Sequence, residues 1–448
     1  MPQPQEIIET LLSHAQKNGA DQADVMIGTS DMLSLSYRLG KRESIERSEN
    51  YEVGIRVFID KKQALVSGND INIDSLKSLT DQAIAMAKAV PDDPHCGLLD
   101  NDIYRASIDA TSLDLYDSTE VSVDDLLAHA AEAEQEALSI DGITNSDGIN
   151  ASATQSETYY AATNGFSGQV QSSYHSLSAS MIAGENDSMQ RDYDYTTTRH
   201  LNKRKSAAEV GKTAALRAVK RLNPRKIETQ NVPVVYAPIV SRSIIQSLSS
   251  ALLGSAIARG TSLLKDQMGE VICNDAITIC DDPYLPQGLK SMAFDGEGVA
   301  PNKRNLVNNG VLQGWLLDLR SARQLNMQPT GNAHRSADGQ PYPGSHNLYM
   351  QAGTISPKRL IKDIKQGFYI TELMGSSVSL LTGDYSRGAA GFWIENGEIA
   401  YPVSEVTIGG NLKDMWMNMT PANDLTFTYG VNAPTLRVEN MTVGGNSA

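Results

Sequence analysis

The stretch "GDYSRGAAGFWIENGEI" (Gly383–Ile399) joins a run of small residues to an apolar run that stops at Asn396-Gly397. Asn-Gly is the preferred pair for a two-residue type I′ turn, because both central positions need φ > 0. Such a turn pairs Ile394 with Ile399 and Phe392 with Tyr401 on one face. Side-chain alternation then puts Trp393, Ala400, Glu395 and Glu398 on the other. The first face is continuously apolar, so the sequence predicts a hairpin packed on a core. Asn164-Gly165 and Asn309-Gly310 sit between strand-like runs in the same way. Antiparallel sheet is expected to dominate the second half.

The first half mixes helices with strands. Ile7, Ile8, Leu11, Leu12 and Ala15 recur at helical spacing before Gly19. A strand pair is expected from about Val53 to Val66, bending at Asp60-Lys61-Lys62. Asp74 is read as the cap of a helix ending near Val90, before Pro91 and Pro94. Ser122–Ser139 is an alanine- and glutamate-rich helix, and alternating polar strands follow from Ala151. A helix from Lys205 to Leu222 ends at "NPRK". The second half opens on "VPVVYAPIV", then a segment with Ile244, Leu248, Ala251, Leu252 and Ser255 on one helical face. The expected class is α+β. It comprises an N-terminal mixed α/β domain over 1–225 and a C-terminal domain over 226–448 dominated by antiparallel β-sheet, each of roughly 200 residues.

Hydrophobic residues make up 40% and charged residues 20% of the 448-residue chain, ordinary values for a globular protein. A net charge of −15 argues against nucleic acid or an anionic membrane as a direct partner. Three cysteines, Cys96, Cys273 and Cys280, cannot all pair within the chain and lack Cys-x-x-Cys spacing, which fits a reducing compartment. The N-terminus lacks the marks of a signal peptide and no run reaches the roughly 18 apolar residues of a spanning helix, so a cytoplasmic location is expected.

Phosphate-binding loops, the dinucleotide fingerprint, the nucleophile elbow and His-Glu-x-x-His are absent from the sequence. His334 and His346 form a close pair with Asp338 between them; a shared metal is weighed there against a polar surface loop. His95-Cys96 is read as structural rather than as a thiolate pair. Asp384, Ser386 and Arg387 are chemically suggestive, but a serine nucleophile needs a base that the neighbouring sequence does not supply. Gly388, Ala389, Ala390 and Gly391 leave the backbone bare, which suits close approach by a peptide strand or a partner subunit.

The block Thr382–Trp416, together with "GENDSMQRDYDYT" (Gly184–Thr196), "VPDDPHCGL" (Val90–Leu98) and "LRVENMTVGG" (Leu436–Gly445), closely resembles the TldE/PmbA subunits of the TldD/PmbA metallopeptidase family. Members were once described as modulators of DNA gyrase. The resemblance implies a two-domain, cytoplasmic bacterial protein that pairs with a TldD-like paralogue to form a hetero-oligomeric zinc peptidase. Its expected substrates are unfolded peptides, in peptide-precursor maturation and antitoxin degradation. TldD carries His-Glu-x-x-x-His shortly before an Arg-Gly-Thr-Ser segment, and a late cysteine as third zinc ligand. Aligned on "ARGTSLL" (Ala258–Leu264), those positions hold Ile245, Gln246 and Ser250 here. Isoleucine has no lone pair, serine is a poor zinc ligand and glutamine cannot act as a general base. The resemblance therefore implies a subunit with no catalytic or metal residues and no cofactor of its own, zinc being expected only on TldD. Asp384, Tyr385, Ser386, Arg387, Gly388 and Gly391 are read as peptide or partner contacts, and self-association as a homodimer is open when the chain is alone. The alternatives are a stand-alone peptide-binding adaptor without protease activity, and a hydrolase with a non-zinc site near Asp384 and Ser386.

Overall fold

The computed structural model describes residues 3–100, 104–106 and 109–445. Six antiparallel strands form the first sheet: β1 (Gln22–Arg38), β2 (Lys41–Ile59), β3 (Lys62–Gly68), β4 (Ile143–Ala162), β5 (Ser167–Ala183) and β6 (Gln190–Thr198). Their spatial order is β3-β2-β1-β4-β5-β6. Helices α1 (Pro4–Lys17) and α2 (Ile73–Ala89) cover one end of it, burying Val25, Ile27, Val53 and Ile55. Helices α3 (Val123–Leu138) and α4 (Ala207–Lys220) cover the other end over Ile149, Leu177, Ala179 and Met181. In β5 every second residue from Ser173 to Ala183 is buried, the period-two signature of a half-covered strand. The cap of α2 is Asn72 rather than Asp74: its side-chain oxygen accepts from the N–H groups of both Asp74 and Ser75. The asparagine two residues earlier meets the orphan donors, and Asp74 falls inside the first turn.

The second half closes on itself. Strands β7 (Gln230–Tyr236), β8 (Gln366–Val378), β9 (Asp384–Glu395), β10 (Glu398–Asn411) and β11 (Leu436–Gly444) run in the order β10-β9-β8-β7-β11, and a β10–β11 pairing completes a barrel. With five short strands between 279 and 432 as a further sheet, the molecule is α+β. Helix α5 (Pro238–Ala251) buries Ile244, Ile245 and Leu248 against this core; Ser255 lies in a separate short helix, Gly254–Ala258. "VPVVYAPIV" is likewise divided, its strand ending at Tyr236 and its Pro238 opening α5.

The hairpin forms with Asn396 at φ 50° and Gly397 at φ 80°, and Ile394 faces Ile399. The expected Phe392–Tyr401 pair does not form. Ala400 bulges out of the ladder, so Trp393 pairs with Tyr401 and Phe392 with Pro402. One extra residue puts Ile399 and Tyr401 on opposite faces; Trp393 and Ile394 are both core, at 2% and 0% exposure, while Ile399 stands 48% exposed. Asn309-Gly310 forms a two-residue turn with Asn308 opposite Val311, whereas Asn164-Gly165 lies in a longer loop closed by an Ala162 N–H to Phe166 carbonyl bond.

The two halves meet on the sheet face opposite α1 and α2. Met26, Phe58, Tyr160 and Phe166 there pack against Phe294 and Ala337 from the second half. Beside them Asp24 of β1 is fully buried between two guanidinium groups, Arg56 Nη2 at 2.5 Å and Arg335 Nη1 at 2.8 Å. Burial opposes its ionisation, but the paired Arg335 and Arg56 charges prevail and hold its carboxyl below the usual range. Gly54 is obligatory at this contact, since a Cβ would lie 1.7 Å from the Ala337 carbonyl oxygen.

Asp24→Ala removes the shared anion and leaves two buried cations; removing one partner of such a set costs about 3–5 kcal/mol. The expected outcome is a lower urea midpoint at neutral pH, with Gly54→Val lowering it as well through steric displacement of residue 337.

Candidate functional site

Strand β6 borders the first sheet, pairing with β5 on one side only. Its other side looks across to the barrel over a cleft of about 620 Å³. Tyr193, Tyr369, Phe392 and Tyr429 supply aromatic surface there, with Ile239 at the start of α5 and the exposed Ile399. Tyr193 stacks on Tyr195 at 6.2 Å, Tyr195 meets Tyr429 at 5.5 Å, and the Arg242 guanidinium sits 4.1 Å over Tyr429. A second hollow of about 470 Å³ continues along Thr196–Arg199 and shares Lys205, Thr428 and Tyr429 with the first. The two make one groove along the border strand.

At one point the strand guards its own edge. The Tyr193 carbonyl accepts from Arg217 Nη1 at 2.9 Å, and the Tyr193 N–H donates to Asp192 at 2.7 Å. Asp194 is fixed by Lys205 at 2.9 Å and Arg217 at 3.0 Å. Unpaired strand edges invite pairing with another chain, and charged side chains are the usual guard. Period-two alternation puts the main-chain groups of Tyr195 and Thr197 on the same outer side. The groove therefore offers apolar pockets beside a strand edge, the two elements of extended-peptide recognition.

The residues singled out in the sequence are distributed differently. Asp384, Tyr385, Ser386, Arg387, Gly388 and Gly391 all lie on β9, which pairs along its length with both β8 and β10. No strand edge is open there. The close approach that Gly391 permits is internal: a Cβ would lie 2.0 Å from the Tyr369 carbonyl oxygen of β8. Tyr385 is core, while Asp384 and Ser386 are exposed, Asp384 accepting from Thr382 at 2.6 Å. Arg387 is half-buried and donates to the Gly375 carbonyl at 2.9 Å.

On α5, Ile245 is 1% exposed within the barrel core. Gln246 is exposed, and the Ser250 hydroxyl donates to the Gln246 carbonyl at 2.9 Å. These donors do not fit a metal ion, and among the described residues no group of three His, Cys, Asp or Glu is placed to hold one.

His334 and His346 do come together, with ring centroids 6.0 Å apart. Neither a metal triad nor a surface loop describes them. His346 is fully buried with Nδ1 2.9 Å from Asp281, while Asp338 is exposed and bonded to Ser336. Burial, then His346 and Lys290, push His334 down to about 4. His95 and Cys96 form no hydrogen bond or ion pair with each other; burial raises the Cys96 thiol, the reverse of activation. Among the described residues no helix is long and apolar enough to cross a membrane.

The groove escaped the sequence reading. Alternation in "QRDYDYTTT" marks a strand, but nothing local tells a border strand from a central one. Its facing residues, Phe392, Ile399 and Tyr429, come from some two hundred positions away.

Three family models match the chain: PmbA/TldA metallopeptidase domain 1 over residues 23–87, the central domain over 116–222 and the C-terminal domain over 229–445. The metalloprotease PmbA of Escherichia coli O157:H7 is 36% identical over 443 residues, 98% of this chain and 96% of that relative. A Bacteroides thetaiotaomicron crystal structure described as a candidate modulator of DNA gyrase superposes with a TM-score of 0.91 over 99% of both chains, at 26% identity. TldE from Thermococcus kodakarensis superposes with a TM-score of 0.87 over 98% of this chain and 99% of its own; at 22% identity this is a likeness of fold.

Two outcomes follow from the geometry. Ile245→Ala is expected to destabilise by about 2–5 kcal/mol, as a large-to-small change in a closed core. Gln246→Ala is expected to change stability by less than about 0.5 kcal/mol; calorimetry or urea titration distinguishes them. For His334 the folded state resists protonation that the unfolded chain accepts near its ordinary value of 6.5. Stability is therefore lost as pH falls from about 6.5 towards about 4. His334→Gln should flatten that part of the pH–stability profile.

Proposed function

The chain belongs to the PmbA/TldD metallopeptidase family, and on that footing we propose that it is a non-catalytic, TldE/PmbA-type subunit of a TldD–TldE zinc metallopeptidase acting on unfolded peptides. One observation carries this reading. The helix that would bear a zinc-binding pair presents Ile245 to the core, Gln246 to solvent and Ser250 to its own backbone. A zinc peptidase needs at least three protein ligands and a group that takes a proton from the attacking water. The side chains on α5 can do neither, so the metal would reside on a TldD-like paralogue.

What this chain contributes is positioning. The groove along β6 combines a strand border with aromatic hollows, a means of holding an unfolded segment extended through its main chain while reading few of its side chains. The exposed Asp384 and Ser386, with the half-buried Arg387, belong to the partner-facing surface in this reading. Their side chains can reach a neighbour although their strand cannot add one.

The test is reconstitution. The chain alone is expected to bind no stoichiometric zinc and to leave an unfolded peptide intact. Mixed with its TldD-like paralogue, it is expected to form a complex whose cleavage of that peptide a chelator abolishes. Stoichiometric zinc together with cleavage by this chain alone would reject the proposal.

A further inference from the structure

The second hollow of the groove differs in charge from the rest of the molecule. In a chain of net charge −15, Arg199, Lys203 and Lys205 line it, and none of its lining residues is Asp or Glu. Arg199 is 4% exposed, lies 4.0 Å over the Tyr174 ring, and donates to the main-chain carbonyls of Leu289 at 3.0 Å, Gly288 at 3.4 Å and Ser173 at 3.5 Å. Among the described residues no carboxylate pairs with it. A guanidinium buried without a counter-anion is costly unless something else meets its charge. Lys203 is exposed and has no ion-pair partner among the described residues. Lys205 spends its charge on Asp194, which faces the first hollow and not this one.

Low-dielectric walls with one sign of charge concentrate field at such a place. Of the neutral lining, the Thr428 hydroxyl is a donor left for a small oxyanion, since the Thr198 hydroxyl donates to the His200 carbonyl and the Asn432 amide to the Tyr429 carbonyl. The hollow also opens directly onto the aromatic one, through Lys205, Thr428 and Tyr429. An extended peptide advances about 3.3 Å per residue, so one segment along β6 can fill both.

We infer that the hollow beside Thr196–Arg199 is a carboxylate subsite, and that the groove prefers peptides carrying a carboxylate a few residues from an apolar side chain. The inference rests on the peptide-holding reading of the groove given above. Two sources share this chemistry: the free C-terminus of a peptide and an acidic side chain within it. Lys203 is the residue that meets the anion at the mouth; Arg199 supplies charge from behind it.

The test uses the full chain and a fluorescein-labelled octapeptide of Gly and Ser with one Phe. It is offered as the free acid, as the C-terminal amide, and as the amide with an internal Glu. Anisotropy titration is expected to give the free acid, the Glu peptide or both an affinity about tenfold above that of the neutral amide, the difference a charge-assisted contact makes. Which of the two gains identifies the source of the carboxylate. Lys203→Gln, at an exposed side chain, is expected to remove most of the gain of the carboxylate-bearing peptides over the amide; an undiminished gain would overturn the subsite. Equal affinity for all three peptides would overturn the carboxylate subsite while leaving the groove as a peptide holder. Failure of every form to bind would overturn both.

Discussion

Asp24 holds the molecule together. Its carboxylate is the common anion for Arg56, on the neighbouring strand, and for Arg335, more than three hundred residues further along. Neither arginine has water to fall back on. Once an ion set of this kind is closed off it is unforgiving of any missing member, because each remaining charge is stranded in a low dielectric. Glu297, 3.4 Å from Arg56, and the Tyr160 hydroxyl, 3.3 Å from Asp24, complete the set. The first sheet and the second half are therefore joined at a rigid point. Further along the junction Arg221 bonds Glu372, and Arg225 lies 4.2 Å over the Tyr401 ring. These contacts lie along the same junction as the groove between β6 and the barrel. Preorganised walls suit a task of holding rather than reshaping a ligand.

The same rigidity gives meaning to α5. Helices that carry ligands for a metal place polar side chains towards a cavity, and that need conflicts with core packing. Here the conflict is absent. Ile244, Ile245, Leu248 and Leu252 make the helix an ordinary packing element, and the serines beside them bond back to their own turn. The family architecture persists around a helix whose side chains serve the core.

Much of the fold was legible locally. The Asn-Gly turn at 396–397 follows from backbone sterics alone, and the Ser122–Ser139 helix from its alanine- and glutamate-rich composition, the structure forming it over Val123–Leu138. What failed locally failed for physical reasons. Ala400 was assigned to a regular ladder because a bulge leaves no mark in the alternation of side chains. Asp74 is read as a cap where Asn72 does the capping, because an aspartate can equally accept from a free N–H and only the path of the chain decides which residue stands at the helix entrance. The glycines of β9 were read as open backbone when their neighbour was another strand of the same barrel. The candidate site was the least legible part. Its members come from the border of one sheet, the first turn of α5 and the far wall of the barrel. Such a place exists only after the two halves dock.

Gly54 and Ala337 show how that docking limits descent. The carbonyl of 337 fills the space where any other residue would carry its first carbon. A lineage that acquires a methyl group at 54 must already have drawn back the loop opposite, or lose the joint between its two halves. Change at these sites thus has an order, loop before strand, imposed by one oxygen atom.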